Sequence, residues 1–223
     1  MPYYKDLSKL SIEQYKEKLK SANLIPSWKI LLENIDLWFK YLEKQKINNV
    51  EELAQVLKTK TKVQKFSEIT GIPVDYLTIL RREINSHKPS PRKLKDFTTI
   101  KDSTKQKLEE IGIKNTEQLY TNIITIESRN TLKIKTNLSD EEVIKIAKLT
   151  DLCRLRYVNH TFATVLIHTK FDTIENIQNA NSQEVYEAVI EANKDNRFYK
   201  GKIGVKDMKF LVDDSQDLVI EIE

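Results

Sequence analysis

The sequence predicts an all-α protein built from two to three tandem small helical units with a short C-terminal appendage. Three observations carry that expectation. Gly and Pro number only 4 and 5 in 223 residues, too few for the tight turns of an all-β chain. Lys, Glu, Ile and Leu, which suit helices, dominate the composition. A twelve-residue phrase recurs three times, as LEKQKINNVEEL (Leu42 to Leu53), LEEIGIKNTEQL (Leu108 to Leu119) and LIHTKFDTIENI (Leu166 to Ile177). Each copy runs leucine, four residues, an apolar Ile or Phe, a polar turn, then an acidic and an apolar residue. The copies are offset by 66 and 58 residues, about the length of a small helical unit. Self-similarity on that scale marks units that bury their apolar faces against neighbours.

The first unit, residues 1–88, opens with a helix over residues 8–22, where Ser11 is placed to cap and Leu10, Ile12, Tyr15 and Leu19 recur at near-helical spacing. After Pro26, Trp28, Leu31, Leu32, Ile35, Trp38, Phe39 and Leu42 form an i, i+3, i+4, i+7 stripe expected to face the core. Asn48-Asn49 makes a turn, and VEELAQVL resumes a short helix. KTKTKVQK (Lys58 to Lys65) reads either as a basic loop or as the first turn of the next helix. Beyond Pro73, residues 74–84 are helical, and HKPSPR (His87 to Arg92) is the clearest linker.

The second unit, residues 94–149, keeps the 66-residue register, setting Thr70 to Leu77 opposite Thr136 to Val143. Ser139 and Glu142 have the spacing of a capping box. The third unit, residues 150–195, includes a helix opening at SQEVYEAV (Ser182 to Val189), and residues 196–223 supply a last helix and a tail. Phe198 and Tyr199, among basic residues, read either as a partner anchor or as a staple for that last helix, and the staple is favoured.

The net charge of +4 is unevenly spread. Residues 1–150 carry 28 Lys/Arg against 20 Asp/Glu, a balance of +8, and residues 151–223 carry 9 against 13, a balance of −4. A basic front suits a polyanion partner or, with the acidic tail, head-to-tail self-association. No apolar run approaches the ~18 residues of a membrane span, so no membrane association is expected. The N-terminus lacks a hydrophobic signal core, and the single cysteine, Cys153, fits a reducing cytosol, so a cytoplasmic location is expected, or a nuclear one if the cell has a nucleus.

Chemistry-bearing residues are sparse. His87, His160, His168 and Cys153 are the only candidates for nucleophile, base or metal work, and no Cys-x-x-Cys, His-Glu-x-x-His or phosphate-loop string occurs. The expectation is no catalysis, no cofactor and no metal, with Cys153 a small buried hydrophobe. Two basic clusters point instead to phosphate contacts: Lys58, Lys60, Lys62 and Lys65, and Lys88, Arg92, Lys93 and Lys95 around the linker. Neither is interleaved with aromatics, so base stacking is not indicated.

The recurring phrase, with its Gly-Ile, polar turn and Thr-x-x-Leu form at Gly112 to Leu119, resembles tandem helix-hairpin-helix-like repeats. LTDLCRLRYVNHTFATVLIHTKFDTIENI (Leu149 to Ile177) is similar to the bacterial domain-of-unknown-function family catalogued as four-three-three-two, a likeness extending over about residues 28–195. Helix-hairpin-helix modules hold a nucleic-acid phosphate on a Gly-x-Gly hairpin, where the backbone comes close and aims its N–H groups at the oxygens. The resemblance puts the hairpin positions at Gly71, at Thr99 and Lys101, and at Tyr157 and Asn159. Most of the glycines are gone, and Pro73 after Gly71 has no N–H to donate. Side chains remain, with Lys101, Lys105, Arg154 and Arg156 beside the hairpins able to neutralise phosphates. The sequence thus predicts a non-catalytic helical module that binds the backbone of DNA or structured RNA nonspecifically. The alternative is an adaptor for a protein partner, or a self-assembling scaffold, that has lost the phosphate-binding glycines.

Overall fold

A computed structural model describes residues 3–22 and 24–222. The chain is all-α, with isolated backbone bridges and no strand among the described residues. It divides into an N-terminal unit, Tyr4–Lys88, and a C-terminal unit, Pro89–Glu223, to which the N-terminal residues through Tyr3 also belong. No helix among the described residues is long and apolar enough to cross a membrane.

In the N-terminal unit α1 (Ile12–Ser21) opens on a capping box in which Ser11 accepts from the Gln14 N–H and Gln14 reaches back to the Ser11 N–H. The Trp28–Leu42 stripe is not one helical face. A 3-10 helix (Pro26–Leu32) ends before Asn34, which adopts a left-handed φ of 52°, and α2 (Ile35–Lys44) starts after it. A 3-10 helix repeats every third residue rather than every 3.6, so the stripe loses register. Leu31, Ile35, Phe39 and Leu42 are buried, Trp28 and Trp38 are half-buried, and Leu32 is exposed. The Tyr76 hydroxyl donates to the Leu31 carbonyl at 3.1 Å, tying the 3-10 segment to α5 (Val74–Ser86). Between them lie α3 (Val50–Val56) and α4 (Lys60–Thr70), so KTKTKVQK is the turn and start of a helix.

The C-terminal unit holds α6 (Asp102–Glu110), α7 (Thr116–Tyr120), α8 (Ile126–Thr136), α9 (Asp140–Leu152), α10 (His160–Leu166), α11 (Ile174–Gln178), α12 (Ser182–Ala192) and α13 (Val205–Ser215). The Ser139–Glu142 capping box forms at α9, whereas α12 is capped by Asn181, one residue ahead of the expected Ser182. One apolar cluster runs from Leu94 to Leu218, and α13 adds Met208 and Leu211 to it. Phe198 and Tyr199 lie partly buried against that cluster.

The recurring phrase corresponds to a recurring object, the joints α2–α3, α6–α7 and α10–α11. Its apolar residue, Ile47, Ile113 or Phe171, is buried in each copy. Its polar residue, Asn49, Asn115 or Thr173, caps the next helix by accepting from the N–H of Glu52, Gln118 or Asn176. The next N–H finds an acceptor from an earlier segment: Val50 bonds the Leu10 carbonyl at 3.0 Å and Thr116 the Arg92 carbonyl at 2.9 Å. In the third copy Ile174 bonds the Asp151 carboxylate instead, at 3.2 Å. The fifth residue of the first two copies is left-handed, Lys46 at φ 58° and Gly112 at φ 84°. A Cβ at Gly112 meets nothing within 4 Å, so Gly112→Ala isolates backbone strain. It is expected to lower stability by about 1–2 kcal/mol, as a loss of amide protection in α6 and α7.

The 66-residue register also holds in three dimensions. Thr70 and Thr136 each donate from the hydroxyl to the carbonyl four residues back, both at 2.7 Å. Gly71 and Asn137 follow in left-handed conformation, and Ile72 and Leu138 are buried. The turns α4–α5 and α8–α9 are thus one structure written twice.

Candidate functional site

The first basic cluster lies in the N-terminal unit. Thr59 caps α4 by accepting from the Lys62 N–H at 3.2 Å, which fixes Lys60 and Lys62 in the first turn with Lys58 just before it. Val63 and Phe66 face the core. At 100° per residue, Lys62, Lys65 and exposed Ile69 then fall along one flank and Lys60 on the other. The Lys62 ammonium donates to the Gln55 carbonyl at 3.0 Å. Those of Lys58, Lys60 and Lys65 have no hydrogen bond or ion pair among the described residues.

The electrostatics of this helix start are unusual for the unit. The amino end of a helix carries about half a positive charge and is stabilised by acids. Helices α1, α2, α3 and α5 follow that rule with Glu13, Asp36, Glu51 and Glu52, and Asp75 in their first turns. The first turn of α4 holds no acid and two lysines. Residues 4–88 carry 16 Lys/Arg against 11 Asp/Glu, a balance of +5, and residues 89–223 carry 21 against 22, a balance of −1. Of the +8 carried by residues 1–150, +5 therefore belongs to the N-terminal unit, and the +3 of residues 89–150 is outweighed by the −4 of residues 151–223 within the C-terminal unit.

The second cluster does not form a single group within either unit. Lys88 closes the N-terminal unit and pairs with Glu51 at 2.5 Å. Arg92, Lys93 and Lys95 belong to the C-terminal unit. The Arg92 guanidinium donates twice to the Val158 carbonyl, at 3.0 and 3.2 Å, and so works as a brace, while the Lys93 ammonium has no partner among the described residues.

The hairpin positions are occupied by other work. At Gly71 the N–H bonds the Ser67 carbonyl at 2.8 Å and the next N–H bonds the Thr70 hydroxyl, so neither is left for a phosphate. Thr99 and Lys101 line a cavity of about 40 Å³ with Thr104, Glu141, Glu142 and Lys145. Two carboxylates there oppose an anion. Glu142 accepts from the Ser139 N–H and the Thr104 hydroxyl, which hold its carboxyl down at about 2, and its Oε1 lies 3.5 Å from Lys101 Nζ. Lys105 pairs with Asp102 at 2.9 Å. Tyr157 is left-handed at φ 64° with its ring against Phe210, and Asn159 spends its side chain capping α10 at the Phe162 N–H.

Because the folded Glu142 value lies below the ordinary 4.5, its contribution is complete above pH 4.5 and disappears as pH falls toward 2. Glu142→Gln is therefore expected to cost about 1 kcal/mol at neutral pH and almost nothing near pH 2, read from denaturant midpoints at both.

Arg154 and Arg156 are corrected outright as phosphate contacts. Arg154 is 4% exposed, with Nη1 on Asp151 at 2.9 Å, Nε on the Tyr3 carbonyl at 3.2 Å and Nη2 on the Val219 carbonyl at 3.2 Å. Arg156 gives its backbone N–H and its guanidinium to Asp214, at 2.8 and 2.7 Å, and lies over Phe210. Both cations are folded into the unit by carboxylates. Asp151, Asp214 and Tyr120, the residues that hold them, escaped sequence reasoning; only the i, i+3 spacing of Asp151 and Arg154 hinted at it.

Cys153 is buried, and burial pushes its thiol up to about 12, far from a reactive thiolate. His87 lies buried on Glu83, which also accepts from the Tyr15 hydroxyl. His160 meets the Phe97 ring, and His168 contacts the Thr164 carbonyl and the Phe198 ring. No group of three or more His, Cys, Asp or Glu among the described residues is placed to hold a metal.

These features define a repeat-built, all-α protein whose polar side chains mostly cap, brace and pair, with one basic helix start left open. The chain belongs to the family described as domain of unknown function (DUF4332), which matches residues 98–218. No curated protein and no solved structure matches it. The match corrects the span expected from resemblance, about 28–195. It omits the N-terminal unit and extends through α13, whose Met208 and Leu211 complete the same core.

Proposed function

We propose that the protein is a non-catalytic, cytoplasmic binding module that contacts the backbone of DNA or structured RNA through Lys58, Lys60, Lys62 and Lys65 of the N-terminal unit. One observation carries this reading: α4 starts with lysines where a helix favours anions, and its first turn holds no carboxylate to offset them. A phosphate placed there meets the helix dipole, and the lysines on the two flanks of the helix start supply separate contacts to neighbouring phosphates of a polyanion backbone. The tight turns α4–α5 and α8–α9 are read as helix-hairpin-helix-like elements whose amides serve the fold rather than a ligand. Recognition then rests on side chains and carries no sequence preference.

The adaptor reading is favoured for the C-terminal unit by a separate observation. Its arginines at 92, 154 and 156 are committed internally and its charge balance is −1, so it offers a polyanion little.

The test is a titration of the full chain against a labelled DNA duplex and an RNA hairpin at ~50 and ~200 mM salt. Four phosphate contacts predict a loss of about 100-fold between the two. Absence of binding at the lower salt, or affinity indifferent to salt, overturns the proposal and leaves the adaptor reading.

A further inference from the structure

The C-terminal unit contains a polar receptor already filled by the chain's own tail. Residues 219–222 lie in no helix or strand. The Val219 carbonyl accepts from Arg154 Nη2, and Glu221 Oε2 lies 3.8 Å from the same nitrogen while accepting from the Tyr120 hydroxyl. Ile222 packs partly buried on the core, whereas Val219 and Ile220 are exposed. Just before this segment the chain is anchored, the Gln178 amide donating to the Ser215 and Leu218 carbonyls at 2.6 and 2.8 Å.

The receptor side is built independently of the tail. Asp151 and the Tyr3 carbonyl fix the guanidinium of Arg154, and the Tyr120 ring lies under it at 4.9 Å. Tyr120 is in turn packed edge-on against Tyr3, whose hydroxyl is 2.8 Å from the Thr116 hydroxyl. A buried guanidinium N–H and a buried phenol O–H therefore point at one carboxylate and one carbonyl. An occupant must supply a backbone acceptor, a carboxylate two residues later, and then an apolar side chain. The tail meets that requirement with few groups and no backbone ladder, so a segment of the same chemistry can take its place, whereas leaving both buried donors bare is unfavourable.

We propose that Tyr120 and Arg154 form an acceptor site for an extended acidic-apolar segment of a protein partner, and that residues 219–222 occupy it in cis until such a segment displaces them. Charge complementarity selects this occupant: the cation pairs with Asp151 through Nη1, and its Nη2 faces both a carbonyl and, at 3.8 Å, a second carboxylate.

The experiment uses a labelled peptide of sequence QDLVIEIE, that of residues 216–223, titrated into the full chain and into Glu221→Ala. Glu221→Ala removes the competing carboxylate and leaves the receptor intact. Saturable binding at least tenfold tighter to Glu221→Ala than to the unaltered chain is expected. It should weaken at least tenfold when the peptide's first Glu is replaced by Gln, and several-fold when Tyr120→Phe is added to the variant. Equal affinity for both proteins, indifference to the Glu-to-Gln peptide, or no binding up to ~1 mM overturns the proposal.

Discussion

Arg154→Met is expected to lower amide protection in α9 and α11 by about 3–5 kcal/mol, the largest effect of any single substitution considered. The change leaves the Asp151 carboxylate buried without its cation, and the Tyr3 and Val219 carbonyls without their donor. Hydrogen exchange is the suitable measurement, because both tryptophans, Trp28 and Trp38, lie in the N-terminal unit and report on that unit alone. Burial already raises the Asp151 carboxyl above its usual value, with Arg154 acting against that rise. A raised folded value means that the native state binds the proton more tightly than the unfolded chain, so stability falls as pH rises through that range. Losing Arg154 widens the range, and the variant should recover part of its deficit under acidic conditions. Adding Asp151→Asn should recover part of it at neutral pH, since the amide oxygen still accepts from Ile174 and carries no charge. A loss below 1 kcal/mol would show that Arg154 is not the brace its contacts describe.

Lys58→Glu, Lys60→Glu and Lys65→Glu in combination are expected to weaken nucleic-acid binding by at least ~100-fold at ~50 mM salt and to flatten what remains of the salt dependence. The fold should not suffer. All three ammonium groups lack partners among the described residues, and glutamate at Lys60 puts an acid where the helix dipole favours one. Thermal unfolding of the variant at or slightly above the unaltered chain, with binding gone, separates function from stability. Retained binding would place the interface elsewhere.

What could be read before the structure was mostly local. Ser11 with Gln14 and Ser139 with Glu142 formed the caps their spacing implied, because capping involves only the first turn. The 66-residue register survived at Thr70, Gly71 and Ile72 against Thr136, Asn137 and Leu138 because each trio is one helix end. The break at Asn34 was hidden, since a 3-10 turn and an α-helix both place apolar residues three apart. Of the candidate site, Lys58, Lys60 and Lys65 were legible as cations in an eight-residue run, Lys58 to Lys65, that holds no acid. Arg154 looked the same in sequence, yet its partners Tyr3 and Val219 lie 151 and 65 residues away, and no local pattern announces them.

The position of Tyr3 has a practical consequence for anyone dividing this protein. It completes a unit whose remaining residues begin at Pro89, so the 85 residues Tyr4–Lys88 are spliced into that unit rather than placed ahead of it. A fragment cut to start at Pro89 would lack the phenol that meets Thr116 and Tyr120 and the carbonyl that holds Arg154. A faithful dissection of the C-terminal unit therefore keeps Tyr3 with it.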